Sequence, residues 1–327
     1  MSWVTTATSP DRADQRTWLP GFLLLGVIWG SSFLFIKVGV AELHPLYVTL
    51  GRVLAGVLTL LVVIVVTRDR LPRDPRLWLH LTVTGVVGTA MPFTLFGYGE
   101  ERVSSSLAGI WNATTALLVL PLAVYLFRTE RMTARRAVGL LIGFAGVLVV
   151  LGVWEGLGGA QFTGQLMCIA AAACYAIAIP YTKRFVSDRS ESGISLAAGQ
   201  LITATVALAI VAPLTVGAPP PVNDLSLKAI ASILTLGAIG TGLAFVLNMR
   251  NIKIVGATTA SMVTYLIPVF AVVIGVLALD EHITWHQPVG ALIVLFGVAV
   301  AQGLIGPRKR VQPAPVTPAT ELAVERA

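Results

Sequence analysis

Ten apolar runs, each about 20 residues long, dominate this chain and leave it few ways to fold. They lie near 18–38, 46–66, 77–98, 103–127, 134–153, 161–183, 194–214, 226–248, 254–279 and 286–305. A run of that length spans a hydrocarbon core of about 30 Å as a helix. The runs lack the alternation of a barrel strand, and backbone groups in lipid must be satisfied within the segment, so helices are expected throughout. The 12% charged content of the 327 residues is about half that of a soluble domain, and no stretch is left for a sizeable soluble domain.

The second half of the chain repeats the first. Gly85, Gly88, Thr89, Phe93 and Leu95 return as Gly237, Gly240, Thr241, Phe245 and Leu247, a constant shift of 152. Glu130, Gly139, Gly146 and Val147 return as Glu281, Gly290, Gly297 and Val298, a shift of 151. Trp29 and Lys37 are echoed by Tyr175 and Lys183, a shift of 146. Five spans per half is an odd number, so the halves are expected to sit inverted to one another, an architecture of secondary transporters that places substrate near the midplane. The expected divisions are a tail at 1–17, a first five-helix repeat at 18–153, a second at 154–306 and a tail at 307–327. Both tails are polar or proline-rich and are expected to be disordered.

Charge supplies the orientation. With the N-terminus inside, nineteen of the 23 basic residues fall in cytoplasmic segments, and Arg102 and Lys228 fall outside. Lys37 and Arg52 lie within spans. The net charge of +7 is therefore a topology signal and not the footprint of a nucleic-acid binder. The expected location is the cytoplasmic membrane, multi-pass, with both termini inside. Cys168 and Cys174 share one apolar run and suggest neither a disulfide framework nor a metal site. No phosphate-cradling glycine–lysine loop is present, and no cofactor is expected.

Trp29-Gly30-Ser31-Ser32-Phe33 with Lys37 resembles the first-helix signature of the EamA-type, ten-helix branch of the drug/metabolite transporter superfamily. Tyr265-Leu266-Ile267-Pro268-Val269-Phe270, followed by Glu281, Gly290 and Gly297, resembles the ninth and tenth helices of that branch. The likeness runs from Trp18 to Gly306. It departs at Leu117, where the repeat would place a partner for Pro268, the proline standing instead at Pro121. It departs again at Tyr175, where many relatives carry tryptophan. Within the superfamily the arrangement is most similar to the aromatic amino-acid exporter type. The resemblance implies export of small metabolites, with a small-molecule substrate and the lipid bilayer as partners and no fixed oligomeric state.

Polar and aromatic residues inside the spans are the candidates for a substrate cavity. Trp29 and Ser32 share one face of the first helix. Trp111, Asn112 and Thr115 lie in the fourth, Tyr175 in the sixth, Asn248 at the end of the eighth, and Ser261, Thr264 and Tyr265 about one turn before Pro268 in the ninth. An amide beside hydroxyls suits a zwitterion, while indole and phenol rings supply apolar walls. Each serine or threonine can equally bond its own helix backbone or knit helices together. Arg52 can snorkel to the interface or grip a substrate carboxylate with two parallel hydrogen bonds. Gly88 and Gly240 permit close helix approach, and Pro92, Pro121, Pro180 and Pro268 can kink their spans. Together they are the expected hinges of alternating access.

Glu42, Glu100, Glu101, Asp280 and Glu281 are all expected at span ends on the outer side, with no carboxylate at the midplane. Facilitated movement of an amino acid therefore ranks above proton-coupled multidrug export. Coupling through a span-end group such as Glu101 or Glu281 stays open. An intramembrane enzyme is the rival from another class. It would need a nucleophile with a base, paired aspartates or a metal cluster, whereas His44, His80, His282 and His286 all fall near span ends.

Overall fold

Serine, threonine and aspartate side chains start most of the helices. Asp74, Ser104, Thr133, Ser192 and Ser226 each accept a hydrogen bond from a backbone N–H in the first turn that follows, and His44 does the same through its ring. Pro45 and Pro75 stand at first helical positions, where no N–H is needed. Gly152 and Gly303 close their helices in the left-handed conformation, with φ of 59° and 78°.

The computed structural model describes residues 18–128, 131–152, 154, 159–186 and 189–304. Both tails and Glu130 lie outside them. The spans are α1 Leu19–Val40, α2 Pro45–Thr67, α3 Pro75–Glu100, α4 Ser105–Leu126, α5 Ala134–Leu151, α6 Gly159–Phe185, α7 Gly193–Val216, α8 Leu227–Ile254, α9 Val263–Leu279 and α10 His286–Gln302. Among the described residues there is no strand. Leucines and valines such as Val62, Leu141, Leu277 and Leu292 are exposed on the outer faces of the bundle, as lipid contact requires.

The expected start of the ninth span at 254 is corrected. Helical turns continue α8 to Ser261, and a 3₁₀ turn over Met262–Tyr265 leads into α9. The stretch 254–261 contains no proline, asparagine or aspartate to break a helix. The chain changes direction between Asn251 and Val263. Gly21 faces Asn251, while Val263 packs with Phe22, Leu25 and Ile28 of the same α1 turns. A straight helix would carry Val263 about 18 Å past Asn251.

Helices of one half pack chiefly against helices of the other. α1 lies against α8 and α9, and α6 lies correspondingly against α3 and α4; α2 meets α7 and α8, and α7 meets α2 and α3. α5 and α10 adjoin along their length, Gly139, Gly143 and Gly146 facing Ala301, Gly297, Gly290 and Val294. Glycine lets these two backbones approach more closely than any side chain would allow.

Three spans contain single π-helical turns: Val86–Ala90 in α3, Leu122–Leu126 in α4 and Ala238–Leu243 in α8. The first and third are repeat equivalents and contain Gly88 and Gly240. Pro92 follows one π turn and Pro121 precedes another. Pro268 follows the 3₁₀ turn of α9. Pro180 alone of the four prolines sits in an uninterrupted α-helical stretch. A π turn leaves carbonyls without their usual partners, which is why such turns collect polar side chains.

Candidate functional site

In the π turn of α8 the Thr241 hydroxyl donates to the carbonyl of Leu236 at 3.1 Å. That fixes the hydroxyl and leaves a lone pair free. Arg52 of α2 donates to it from Nε at 3.0 Å. The guanidinium lies over the ring of Phe93 of α3, its carbon 3.6 Å from the ring centroid, a cation–π contact in a desolvated setting. Arg52 is 7% exposed, and its two terminal nitrogens have no hydrogen-bond partner among the described residues. Tyr175 of α6 is close enough to feel this charge, and its ring lies 6.3 Å from that of Phe96. Phe33 of α1 meets Phe96 edge to face at 5.4 Å. Ser32 lies beside Gly240, although its hydroxyl donates to its own helix at Ile28, 3.1 Å away.

The same arrangement occurs in the other half without the charge. Gln200 of α7 donates from Nε2 to Thr89 in the π turn of α3 at 2.8 Å. Each π-turn threonine thus receives a hydrogen bond from the second helix of the opposite half. One donor is an arginine and the other a neutral amide.

Of the other candidates from the sequence, Trp111 and Trp29 share the packed cluster of Phe33, Phe96 and Tyr175, and the rest lie apart from it. Trp111 is 0% exposed in the core, where its indole N–H donates to Gln165 Oε1 of α6 at 3.2 Å. Trp29 packs between two core clusters. Tyr265 joins Ala113, Leu117, Val294 and Val298 on the α4–α10 side, close to the Thr115 region. The Thr115 hydroxyl is buried with no partner among the described residues. Asn112 and Asn248 are half-buried, Asn248 two turns along α8 from Thr241. Thr264 is exposed, and the Ser261 side chain lies outside the described residues. An apolar cleft of about 270 Å³ opens between α2, α3 and α7, lined by Leu46, Ala90, Thr94, Tyr98, Leu208 and Val211.

The carboxylates need one correction. Glu100 stands at the end of a span, as expected, yet it is 0% exposed, because α1, α4 and α6 close around the last turn of α3. Lys37 caps that turn, donating to the backbone carbonyls of Glu100 and Val103. Glu101, the group the sequence offered instead, is partly exposed and pairs with Arg102 at 2.9 Å. Glu281 is absorbed in capping α4. It accepts from the Ser105 N–H at 2.6 Å, the Ser106 N–H at 3.0 Å and the Ser106 hydroxyl at 2.5 Å. Glu42, in the α1–α2 turn, likewise caps α8 by accepting from the Ser226 N–H at 2.8 Å and its hydroxyl at 2.6 Å. Both clasps join one half to the other.

Sequence reasoning missed the parts that hold Arg52. Thr241 and Phe93 had been marked by the internal repeat, but as spacing matches and not as ligands. The pairing of Arg52 with Thr241 spans 189 positions and becomes visible only when α2 meets α8.

The chain matches the sequence profile of the EamA-like transporter family twice, at residues 16–152 and 162–302. The Bacillus subtilis "Uncharacterized transporter YoaV" is 25% identical over 85% of this chain and 94% of its own length. An Escherichia coli protein named "Probable amino-acid metabolite efflux pump" is 25% identical over 85% of this chain and 92% of its own. A solved crystal structure at 19% identity superposes with a TM-score of 0.63, covering 88% of this chain and 98% of that one, so the fold is shared. Two matches to one profile, ten apolar helices and names that read as transporters agree: the chain is a membrane protein of the EamA-like transporter family.

Proposed function

We propose that this protein is a secondary transporter that exports amino acids, aromatic ones among them, and related small metabolites across the cytoplasmic membrane. Its two repeats are inverted, both termini face the cytoplasm, and alternating access moves substrate along the seam between the repeats. The observation that carries this reading is the Arg52–Thr241 hydrogen bond, which sets a desolvated guanidinium at that seam with its terminal nitrogens unclaimed. Such a fork grips a carboxylate with two parallel hydrogen bonds. Phe93, Phe96 and Tyr175 line the surroundings with rings that suit an apolar or aromatic side chain. The efflux-pump name of the Escherichia coli relative supports the substrate class. The uneven distribution of lysine and arginine supports the orientation.

Gly88, Pro92, Pro121, Gly240 and Pro268 stand at or beside π or 3₁₀ turns, where backbone hydrogen bonds are already irregular, and they serve as hinges; Pro180 kinks α6 as the structure opens. The test is uptake of radiolabelled L-phenylalanine and L-threonine by proteoliposomes holding the purified chain, beside an Arg52→Ala variant. Saturable uptake that the variant loses supports the reading. Uptake of neither amino acid, with transport of a cationic dye instead, overturns it.

A further inference from the structure

Glu100 lies where an ionised carboxylate is hard to keep. Its side chain is fully buried, and both carboxylate oxygens lack a hydrogen-bond partner among the described residues. The nearest cation, Lys37, spends its ammonium on the backbone carbonyls of Glu100 and Val103 and not on the carboxylate. Each packed element contributes something to its surroundings. α1 brings Lys37, α2 brings Arg52, α6 brings the Cys168 thiol, and the segment after α9 brings Glu281, while Glu101 and Arg102 beside it on its own chain pair with each other. An unpartnered anion facing a second carboxylate is far costlier to bury than a neutral acid. The two acids that clasp the halves do not share this condition, since the partly buried Glu281 accepts from Ser105 and Ser106 and the exposed Glu42 accepts from Ser226.

We propose that Glu100 is the proton-carrying site of this transporter, reloaded from the outer side when the Glu281–Ser106 clasp opens, neutral in the clasped arrangement seen here and ionised when the cytoplasmic side opens. The proposal rests on the transport reading above and adds a coupling ion to it. On opening to the cytoplasm, the Glu100 O–H bond breaks and the proton passes to water on that side. The carboxylate left behind is met by Lys37, whose ammonium lies one side-chain length away on the same turn. On the return step a proton taken from the opposite side re-forms the acid, Lys37 goes back to the carbonyls, and one proton moves inward for each substrate moved outward.

Two measurements test this on the full chain, and their failures are separable. Infrared difference spectra of wild type and Glu100→Gln, recorded at neutral pH without substrate, are expected to show the carbonyl stretch of a protonated carboxylic acid in wild type alone. No such band, or one that survives the substitution, overturns the proposal whatever the substrate is. In proteoliposomes, an imposed pH gradient, acid outside the cell-equivalent face, is expected to accelerate wild-type L-phenylalanine movement at least fivefold. Rates in Glu100→Gln, whatever their size, are expected to ignore the gradient, and Glu100→Asp to restore part of the response. A wild type indifferent to the gradient, or a Glu100→Gln variant as responsive as wild type, also overturns it. Wild-type vesicles that move no amino acid but show the infrared band reject the substrate class and retain the proton site.

Discussion

Arg52 and Thr241 come from opposite halves of the chain and meet 3.0 Å apart, and the matching pair in the other direction is Gln200 and Thr89 at 2.8 Å. The scaffold is therefore two-fold in its hydrogen bonding and one-fold in its charge. A duplicated helix pair needs the π-turn threonine twice to hold the second helix of its neighbour. A single substrate needs a cation once. On the proposed reading, the position where the two repeats agree in geometry and differ in charge is the one that meets substrate.

The first prediction separates those two roles. Thr241→Val keeps the size of the side chain but removes the acceptor for Arg52 Nε, leaving a buried donor unpaired at a cost of about 1–3 kcal/mol. Substrate affinity is expected to fall about tenfold, and Arg52→Lys to lose more, since an ammonium cannot reproduce the fork. Thr89→Val breaks the equivalent bond to Gln200 and is expected to lower thermal stability comparably with little change in affinity. Binding and melting curves on the three purified variants decide it, and equal affinity losses from both threonines would remove the assigned asymmetry.

Much of this was legible beforehand because lipid imposes a length on every span. Nine of the ten helices begin within two residues of where the apolar runs place them. The remaining case fails because helical turns carry on from α8 through 254–261, so that no loop marks the boundary where the apolar run begins. The repeat showed which positions correspond but not which ones touch, so Thr241 and Phe93 went unassigned. Glu100 looked like one more span-end acid beside Glu101, because a sequence shows how far a residue is from the end of a helix but not which neighbours close over it. Nor does the sequence show that the indole of Trp111, packed in the cluster of Phe33, Phe96 and Tyr175, donates to Gln165.

The α5–α10 contact gives the second prediction. A Cβ on Gly146 would lie 2.7 Å from the backbone nitrogen of Val294 and 2.9 Å from the carbonyl oxygen of Gly290, with backbone on both sides and no flexible side chain to yield. Gly146→Ala is expected to destabilise the protein by about 1–3 kcal/mol through overpacking. Gly159→Ala, where nothing lies within 4 Å, meets no such clash, and its cost is confined to the left-handed backbone at φ 74°. Melting of both variants in detergent should rank Gly146→Ala as the less stable.

Acid should weaken the Glu42 clasp. The hydroxyl and N–H of Ser226 both donate to the Glu42 carboxylate and hold it below its ordinary value of 4.5. A depressed folded-state value means that the stabilisation is fully present above about pH 4.5 and is lost as pH falls through that lower folded value. Wild type is expected to melt above Glu42→Gln at pH 7, and the gap to close below pH 4.5, because the glutamine variant has nothing to titrate there. A gap that stays constant to pH 3 would show that the carboxylate charge contributes nothing.

The last prediction concerns what the Glu281 clasp keeps shut. Glu281 ties the start of α4 to the end of α9 through three hydrogen bonds, two of them to N–H groups that have no partner within the helix. Glu281→Ala removes all three at once and also deletes the anion that favours the helix N-terminus. Cys168, packed against Gly99 one residue from Glu100, is fully buried while the clasp holds. In a Cys174→Ser background, maleimide is therefore expected to label Cys168 slowly in wild type and at least tenfold faster in Glu281→Ala. Ser106→Ala, which removes one of the three bonds, should fall between. Equal labelling in all three would mean that the end of the bundle opens by another route, and Glu281 would then be a helix cap without a gating role.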